Sequence, residues 1–574
     1  MVDIEGTNLM SNSSKVHPEL LEHTKRYSPQ VWQSGARVYT AYGYNIANVS
    51  MIVGDDGIII IDTAAQETNA AEILAEFRKI TDLPVKAIIY THFHNDHVNG
   101  VLAFTSLEAV ERGEVQVYAH SELMGFIAGI AGYLAPLMGR RASYQFGAAL
   151  PRNDEGFVHA GLGLPHNPGP RGFIPPTVTV AERTAFTICG VELELVPLPG
   201  ESDDHIGIWL PHDKVLLTGD TIQGEVLPNV YTIRGTPYRD PMQWVASLDY
   251  IRDGFNAEIV IPHHGRRLIG REQIEEVVTA YRDSIQYMHD QTIRQMNKGR
   301  RPHDIARDMK LPPHLANHQW LGEFYGAIKH IVPDIAGGKV GWYAGDPMTL
   351  DPLPEKHVAT RLVALMGGKH KVAAEVSKAL DGGEVRWALE LARMVRVAND
   401  PDQEYRDMEA YVLRQWAYAQ KNPTWRNWAL CSAMELDPKD PDSQAPQYLM
   451  APPGVLKSFP PALILRTMTT RLRAEDALDT RLCVAFSISD IDAEYALEIR
   501  RGVCQFHSVA PAKRDVTLGM TKGFFYDLAS RKTTWPQAVK EAQITVTGDP
   551  AKALEFFGYF ERPTAPHEIS FVAQ

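Results

Sequence analysis

Thr91-His92-Phe93-His94-Asn95-Asp96-His97 is the stretch on which the reading of this chain turns. It sets three imidazoles and one carboxylate within six residues, His92 to His97. Before it runs Val85-Lys86-Ala87-Ile88-Ile89-Tyr90, an apolar segment that predicts a buried strand. A strand end passing into a short loop can aim His92 and His94 at one metal ion, and Asp96 and His97 at a second. Imidazole nitrogen and carboxylate oxygen are the ligands zinc favours in catalytic sites, where a water keeps one position open. A surface loop that merely happens to be rich in His has no need of a buried strand before it. That strand context is what gives a short metal motif its force.

Strands and helices alternate around this loop. Asn48–Val53 and Ile58–Asp62 read as strands joined by Gly54-Asp55-Asp56-Gly57, and Glu67–Ile80 reads as an amphipathic helix. Glu114–Ala119 predicts another strand, and Thr177–Pro197 two short ones around Cys189-Gly190. Val215–Gly219 ends at Asp220, and Ala257–Pro262 ends at His263-His264-Gly265. Polar residues at successive strand ends are where an α/β scaffold places a site. The pattern is that of an α/β fold of the αββα sandwich type. A dinucleotide fold is excluded, because no Gly-x-Gly-x-x-Gly follows the first strand.

The 574 residues allow several domains. Residues 1–270 read as the catalytic domain. Within it, Gly129–Pro176 is rich in Gly and Pro but carries Arg140, Arg141, Tyr144 and Phe146, which predicts a folded insertion beside the site. Residues 271–450 read as helical, with helices over Glu272–Asn297, Arg361–Leu380, Val385–Ala398 and Gln403–Ala419. Met450-Ala451-Pro452-Pro453-Gly454 reads as a linker, and residues 455–574 as a small α+β domain with a meander over Leu482–Ile488, Glu494–Arg500 and Val503–Val509.

Composition bounds the function. A formal charge of −13 argues against nucleic acid as a partner. An anionic small molecule stays compatible, since two divalent cations would override the global balance locally. Cys189, Cys431, Cys483 and Cys504 are widely spaced and suit a reducing compartment, or simply buried apolar positions, better than a disulfide framework. Met1–Lys15 lacks the apolar core of a signal peptide, and no stretch has the length of a membrane span, so a cytoplasmic protein is expected.

Three later segments supply the ligands the His loop lacks: Pro199-Gly200-Glu201, Gly219-Asp220-Thr221 and Pro262-His263-His264-Gly265. The series His-x-His-x-Asp-His, a third ligand, Gly-Asp, then His-Gly resembles that of the metallo-β-lactamase superfamily. The resemblance implies one zinc on His92, His94 and Glu201 and another on Asp96, His97 and His264, with Asp220 and a hydroxide between them. His264 is taken over His263 because the superfamily ligand directly precedes the glycine.

The resemblance narrows further. Arg140-Arg141-Ala142-Ser143-Tyr144, Ala160-Gly161-Leu162-Gly163, Asn229 to Gly235, Arg239-Asp240, Trp244, Tyr281-Arg282-Asp283 and Tyr325-Gly326 up to His330 resemble the alkylsulfatases. Those enzymes cleave alkyl sulfate esters such as dodecyl sulfate. By that likeness Tyr144, Asn229 and Arg234 would hold the sulfate, and His330 would serve as catalytic acid near the leaving oxygen beside Asp96. The domain order would be catalytic domain, helical dimerisation domain, then a sterol-carrier-like domain, in a homodimer. The attacking metal-bound hydroxide would meet sulfur or carbon, since the family contains both kinds. Two features depart from the family: Asp220 stands where a glutamate is usual, and the acidic turn after Glu201 is shorter. The alternative is a dinuclear hydrolase of a lactone, thioester or phosphoester.

Overall fold

Seven strands form the first sheet in chain order: β1 (Gln30–Ser34), β2 (Val38–Tyr42), β3 (Val49–Val53), β4 (Ile58–Ile61), β5 (Val85–Ile89), β6 (Gln116–His120) and β7 (Val178–Val180). β1 to β4 pair antiparallel and β4 to β7 parallel. The second sheet has six: β8 (Thr184–Ile188), β9 (Val191–Pro197), β10 (Ile206–Leu210), β11 (Val215–Gly219), β12 (Ile259–Pro262) and β13 (Leu268–Ile269). This computed structural model describes residues 14–164, 169–437 and 449–572. The expectation about a signal peptide therefore rests on residues that, up to 13, lie outside the described ones.

The four isoleucines of β4 show why the layers form. Ile59 and Ile61 face inward against Ile208, Leu217 and Ile261 of the second sheet. Ile58 and Ile60 face outward onto Ala70, Ile73 and Phe77 of the helix Glu67–Phe77. A strand buried on both faces has no polar alternation to show. Burial of each such side chain contributes about 1.5–3 kcal/mol. On the far side, Leu216 and Val260 pack under Trp244 and Leu248 of the helix Pro241–Asp253 and under Val277 and Tyr281 of the helix Arg271–Met296. The result is the αββα sandwich.

Several details differ from expectation. β1, β2, β10 and β13 carry no sequence expectation; β1 is a half-exposed edge strand, Gln-Val-Trp-Gln-Ser, without clean alternation. Thr177–Pro197 holds three strands, not two. β8 and β9 form the hairpin at Cys189-Gly190, whose φ values of 51° and 75° are those of a tight hairpin turn, and β7 crosses to the first sheet. The helix Arg271–Met296, expected to begin the helical region, shares its core with the second sheet. The single helix expected over Arg361–Leu380 is two, Glu355–Leu365 and Lys369–Asp381. Gly367 and Gly368, at φ 95° and 96°, break it in a backbone region closed to most other residues.

The helices Val385–Asn399, Gln403–Tyr418 and Pro423–Leu436 complete the helical array. A third sheet follows: β14 (Arg481–Ile488), β15 (Ala493–Arg500), β16 (Val503–His507), β17 (Val516–Met520) and β18 (Thr545–Gly548). β14 to β16 form the expected meander, and β17 joins parallel to β14.

The presumed linker is not a free tether. Met450 at its start, and Val455 and Phe459 just beyond its end, are buried in the core of the first sheet, and Tyr526 donates its hydroxyl to Phe459 O at 2.6 Å. Among the described residues no single helix is long and apolar enough to cross a membrane. The bent pair Leu123–Tyr133 and Ala135–Gln145, at 90°, meets that test by composition, and here it walls a cavity.

Candidate metal centre

The loops after β5, β9, β11 and β12 open at one edge of the sandwich and bring the expected ligands together. Ligand atoms of His92, His94, Glu201 and Asp220 lie within 4.8 Å of one another, as do those of Asp96, His97 and His264. Asp220 links the groups: its Oδ2 is 3.9 Å from His92 Nε2, 3.5 Å from His97 Nε2 and 2.9 Å from His264 Nε2. His97 Nε2, Glu201 Oε2 and Asp220 Oδ1 are buried with no hydrogen-bond partner among the described residues. Buried polar atoms are otherwise almost always paired. Orphaned imidazole and carboxylate atoms converging on two points fit divalent ions.

The outer ring nitrogens show which lone pairs are offered. His264 Nδ1 lies 2.8 Å from Ile46 O, an acceptor only, so this nitrogen carries a proton and Nε2 is the atom turned toward Asp220. His97 Nδ1 lies 2.7 Å from Asp62 Oδ2, and His92 Nδ1 is 3.0 Å from Thr91 Oγ1. Burial pushes His92 and His94 well below the ordinary imidazole value, which keeps both rings neutral. Burial also pushes Glu201 up to about 7, although Arg239, 2.8 Å away, opposes it.

Close approaches explain two glycines. A Cβ on Gly200 would stand 2.8 Å from Trp244, and one on Gly219 2.4 Å from His205. Only glycine lets Glu201 and Asp220 follow their strands this closely.

The sequence reading missed Asp62, His263, His205 and Arg239 as parts of this centre. Asp62 sits at φ 58° and accepts from Thr91 N, Thr91 Oγ1, His97 Nδ1 and His263 Nδ1. His263 is thus a partner of Asp62, and His264 is the ring beside Asp220. His205 accepts from Asp220 N at 2.8 Å and stacks on His92. Arg239 lies against Glu201 and donates to Asn229 O at 2.6 Å. The signal available for Asp62 was its place at the end of β4, one strand from the His loop.

The other expected site residues divide. Arg234 and Asp96 line a cavity of about 920 Å³, mouth included, together with Glu201 and Asp220. Arg234 Nη2 donates to His94 Nε2 at 3.1 Å. Tyr144 does not line it. Its hydroxyl donates to Glu435, and its ring packs edge-on against Trp428 and Phe571. Tyr325 is the tyrosine at the cavity wall. Asn229 and His330 pair with each other instead, Nε2 to Oδ1 at 3.2 Å. His330 Nδ1 accepts from the indole of Trp425 at 3.0 Å. Burial pushes its ring down to about 3, so it is neutral near pH 7. The helical packing around Trp425, remote in sequence, decides this placement.

Apart from Asn95 and Asn99, the rest of the cavity is largely apolar, with Phe93, Ile127, Ile130, Met138, Phe173 and Val455 on its walls. A polar end with Asp96, Glu201, Asp220, His94 and Arg234, and a largely apolar body, suit an amphiphile.

Comparison with known proteins agrees with this geometry. Residues 42–264 match the metallo-beta-lactamase superfamily, 301–439 the alkyl sulfatase dimerisation family and 450–569 the alkyl sulfatase C-terminal family. A linear primary-alkylsulfatase of Pseudomonas sp. is 40% identical over 90% of this chain and 99% of its own. The chain belongs to the alkylsulfatase family. An (R)-specific secondary-alkylsulfatase of Pseudomonas sp. is 29% identical, over 92% of this alkylsulfatase and 80% of the relative. The solved stereoselective inverting sec-alkylsulfatase Pisa1 from Pseudomonas sp. superposes with a TM-score of 0.90 at 27% identity, covering 98% of this chain and 89% of that one.

Proposed function

We propose that this protein hydrolyses alkyl sulfate monoesters, adding water to give an alcohol and inorganic sulfate. The observation that carries the reading is one cavity lined by His94, Asp96, Glu201 and Asp220 of the ligand cluster, by Arg234 and by apolar side chains. Two zinc ions fit the cluster, one on His92, His94 and Glu201, one on Asp96, His97 and His264, with Asp220 shared. Such ions would lower the pKa of a water and screen the charge of the ester.

The chain's own groups do the rest. With His94 Nδ1 given to a metal, Nε2 carries the ring proton and ceases to accept. Arg234 Nη2 then remains as an unmatched donor at the cavity wall, suited to a sulfate oxygen. Each methylene entering the apolar wall contributes about 0.8 kcal/mol. A charge-assisted hydrogen bond contributes about 1.5–3 kcal/mol. Beyond a few carbons, the alkyl chain therefore outweighs Arg234 in substrate binding, and Arg234 chiefly orients the head group.

Sulfate release from dodecyl sulfate by zinc-loaded protein, abolished by chelator and restored by zinc, is the expected result. No release from that ester or from shorter and bulkier ones, by protein that holds its metal, would pass the site to a lactone, thioester or phosphoester.

His330 enters this reading as a partner of Asn229 and not as the acid. The alkaline limb of the pH–rate profile over about pH 6–9 should be the same in His330→Gln as in the parent. A limb that vanished in the variant would restore the acid role. The sign for stability is also set. A ring whose pKa falls from 6.5 to about 3 on folding favours the folded state above pH 6.5 and loses that contribution as pH drops towards 3.

A homodimer is part of the proposal. Trp342, Met348 and Leu365 of the helical region are 73, 76 and 82% exposed in the single chain. Large apolar side chains left this exposed favour burial against a second copy. Light scattering that found only 64.0 kDa particles at micromolar protein would refute it.

A further inference from the structure

The helix Ala135–Gln145 presents two neighbouring pairs of side chains, each spaced four residues apart, and the pairs grip different parts of the molecule. Arg140 and Tyr144 both reach Glu435 on the helix Pro423–Leu436: Arg140 Nη2 at 2.9 Å, and the tyrosine hydroxyl on the same oxygen. Arg141 and Gln145 both reach the loop that carries Arg234. Arg141 donates from Nη2 to Ile233 O at 2.6 Å and from Nε to Arg234 O at 2.5 Å. Gln145 Oε1 accepts from Arg234 N at 2.7 Å and from Thr232 Oγ1 at 2.9 Å. Asn427, on the same helix as Glu435, donates to Gln145 O at 3.1 Å.

The backbone around Arg234 is thus held on both sides by two side chains of one helix, just before Gly235 turns at φ 99°. Arg141 offers a planar fork, which can bind two successive carbonyls as a lysine cannot. Gln145 is fully buried, and its one carbonyl oxygen satisfies two donors of the loop.

We propose that Arg141 and Gln145 are positioning residues for Arg234. They fix the guanidinium at the cavity wall, and the Arg140–Tyr144–Glu435 contact anchors their helix to the helical array. The inference rests on the reading of Arg234 as the anion-facing group.

The test is calorimetric binding of inorganic sulfate to the zinc-loaded full chain, in the parent, Arg141→Lys, Gln145→Met, Arg234→Ala and the two double variants. Each positioning variant should weaken sulfate binding by on the order of tenfold, the effect of a lost hydrogen bond or two. Neither should weaken it further in the Arg234→Ala background, because groups acting through one residue are not additive. Bound zinc should stay unchanged in all. Unchanged sulfate affinity in both positioning variants, or losses that add in full to that of Arg234→Ala, would overturn the inference alone. A parent that binds no sulfate, or an Arg234→Ala variant that binds it as the parent does, would overturn the anion-facing role and the inference together. Should Gln145→Met fail to fold, Arg141→Lys, which keeps its charge and stem, decides the question by itself.

Discussion

Replacing Asp220 with alanine should lower sulfate release by on the order of a thousandfold or more, the equivalent of several kcal/mol of lost charge stabilisation. Asp220 is the carboxylate within reach of both ligand groups, with its Oδ2 facing His92, His97 and His264. Burial disfavours its charge, yet His264 and His97 outweigh burial and hold its carboxyl well below the ordinary range. It therefore stands ionised across neutral pH, ready to be shared. Its backbone N–H is fixed by His205, so the side chain has little freedom to be replaced by a neighbour. Metal analysis of the variant should show less zinc than the parent. Full zinc content with unimpaired sulfate release would remove Asp220 from the centre. Asp220→Glu, which keeps the carboxylate, should recover far more activity than alanine.

Asp62→Ala should cost about 3–5 kcal/mol of stability, as expected when one partner of a buried charged network is removed. It should also weaken metal binding by roughly 10–100-fold, as losses behind a ligating histidine do. The balance at this residue can be worked out. Its left-handed backbone at φ 58° costs about 1–3 kcal/mol. Against that stand hydrogen bonds from Thr91 N, Thr91 Oγ1, His97 Nδ1 and His263 Nδ1, of which one or two, at about 1.5–3 kcal/mol with a charged acceptor, already offset the strain. The hydrogen bonds win, which is why a non-glycine residue tolerates the conformation. In alanine the strain stays and the four donors lose their acceptor. The two readouts are the thermal midpoint and the zinc affinity by competition with a chelator. If neither moved, Asp62 would be a bystander. The pH sign follows from its shift. Burial is outweighed by His263 and His97, so the carboxyl is held well below its ordinary value. The stabilisation is complete above about pH 4 and is lost as acid protonates Asp62 below that value.

These two residues show how far the sequence could be read. Asp220 was legible because it closes an apolar strand and takes its turn in an ordered series of ligands. Asp62 closes the strand β4 in the same way, but its partners His97 and His263 lie 35 and 201 residues along the chain. The same holds elsewhere. Strands with a mostly apolar, buried run, β4, β5 and β11, were plain, whereas the half-exposed edge β1 was not. Arg140, Arg141 and Tyr144 stood out as a cluster, yet nothing in their spacing told which would face the anion.

By itself, the sequence determined the metal chemistry, since ligand type, order and short spacing are local properties that survive in any αββα sandwich. It also determined that the ligands sit at strand ends and that helices and a second sheet follow. Only the tertiary structure decided which polar groups are left over for a substrate. Glu435 takes the hydroxyl of Tyr144, Trp425 and Asn229 take both nitrogens of His330, and Met450 closes the cavity from a segment that reads as a tether. A side chain's chemistry is written in its type, but which hydrogen bonds it has left to offer depends on partners that packing brings from hundreds of residues away.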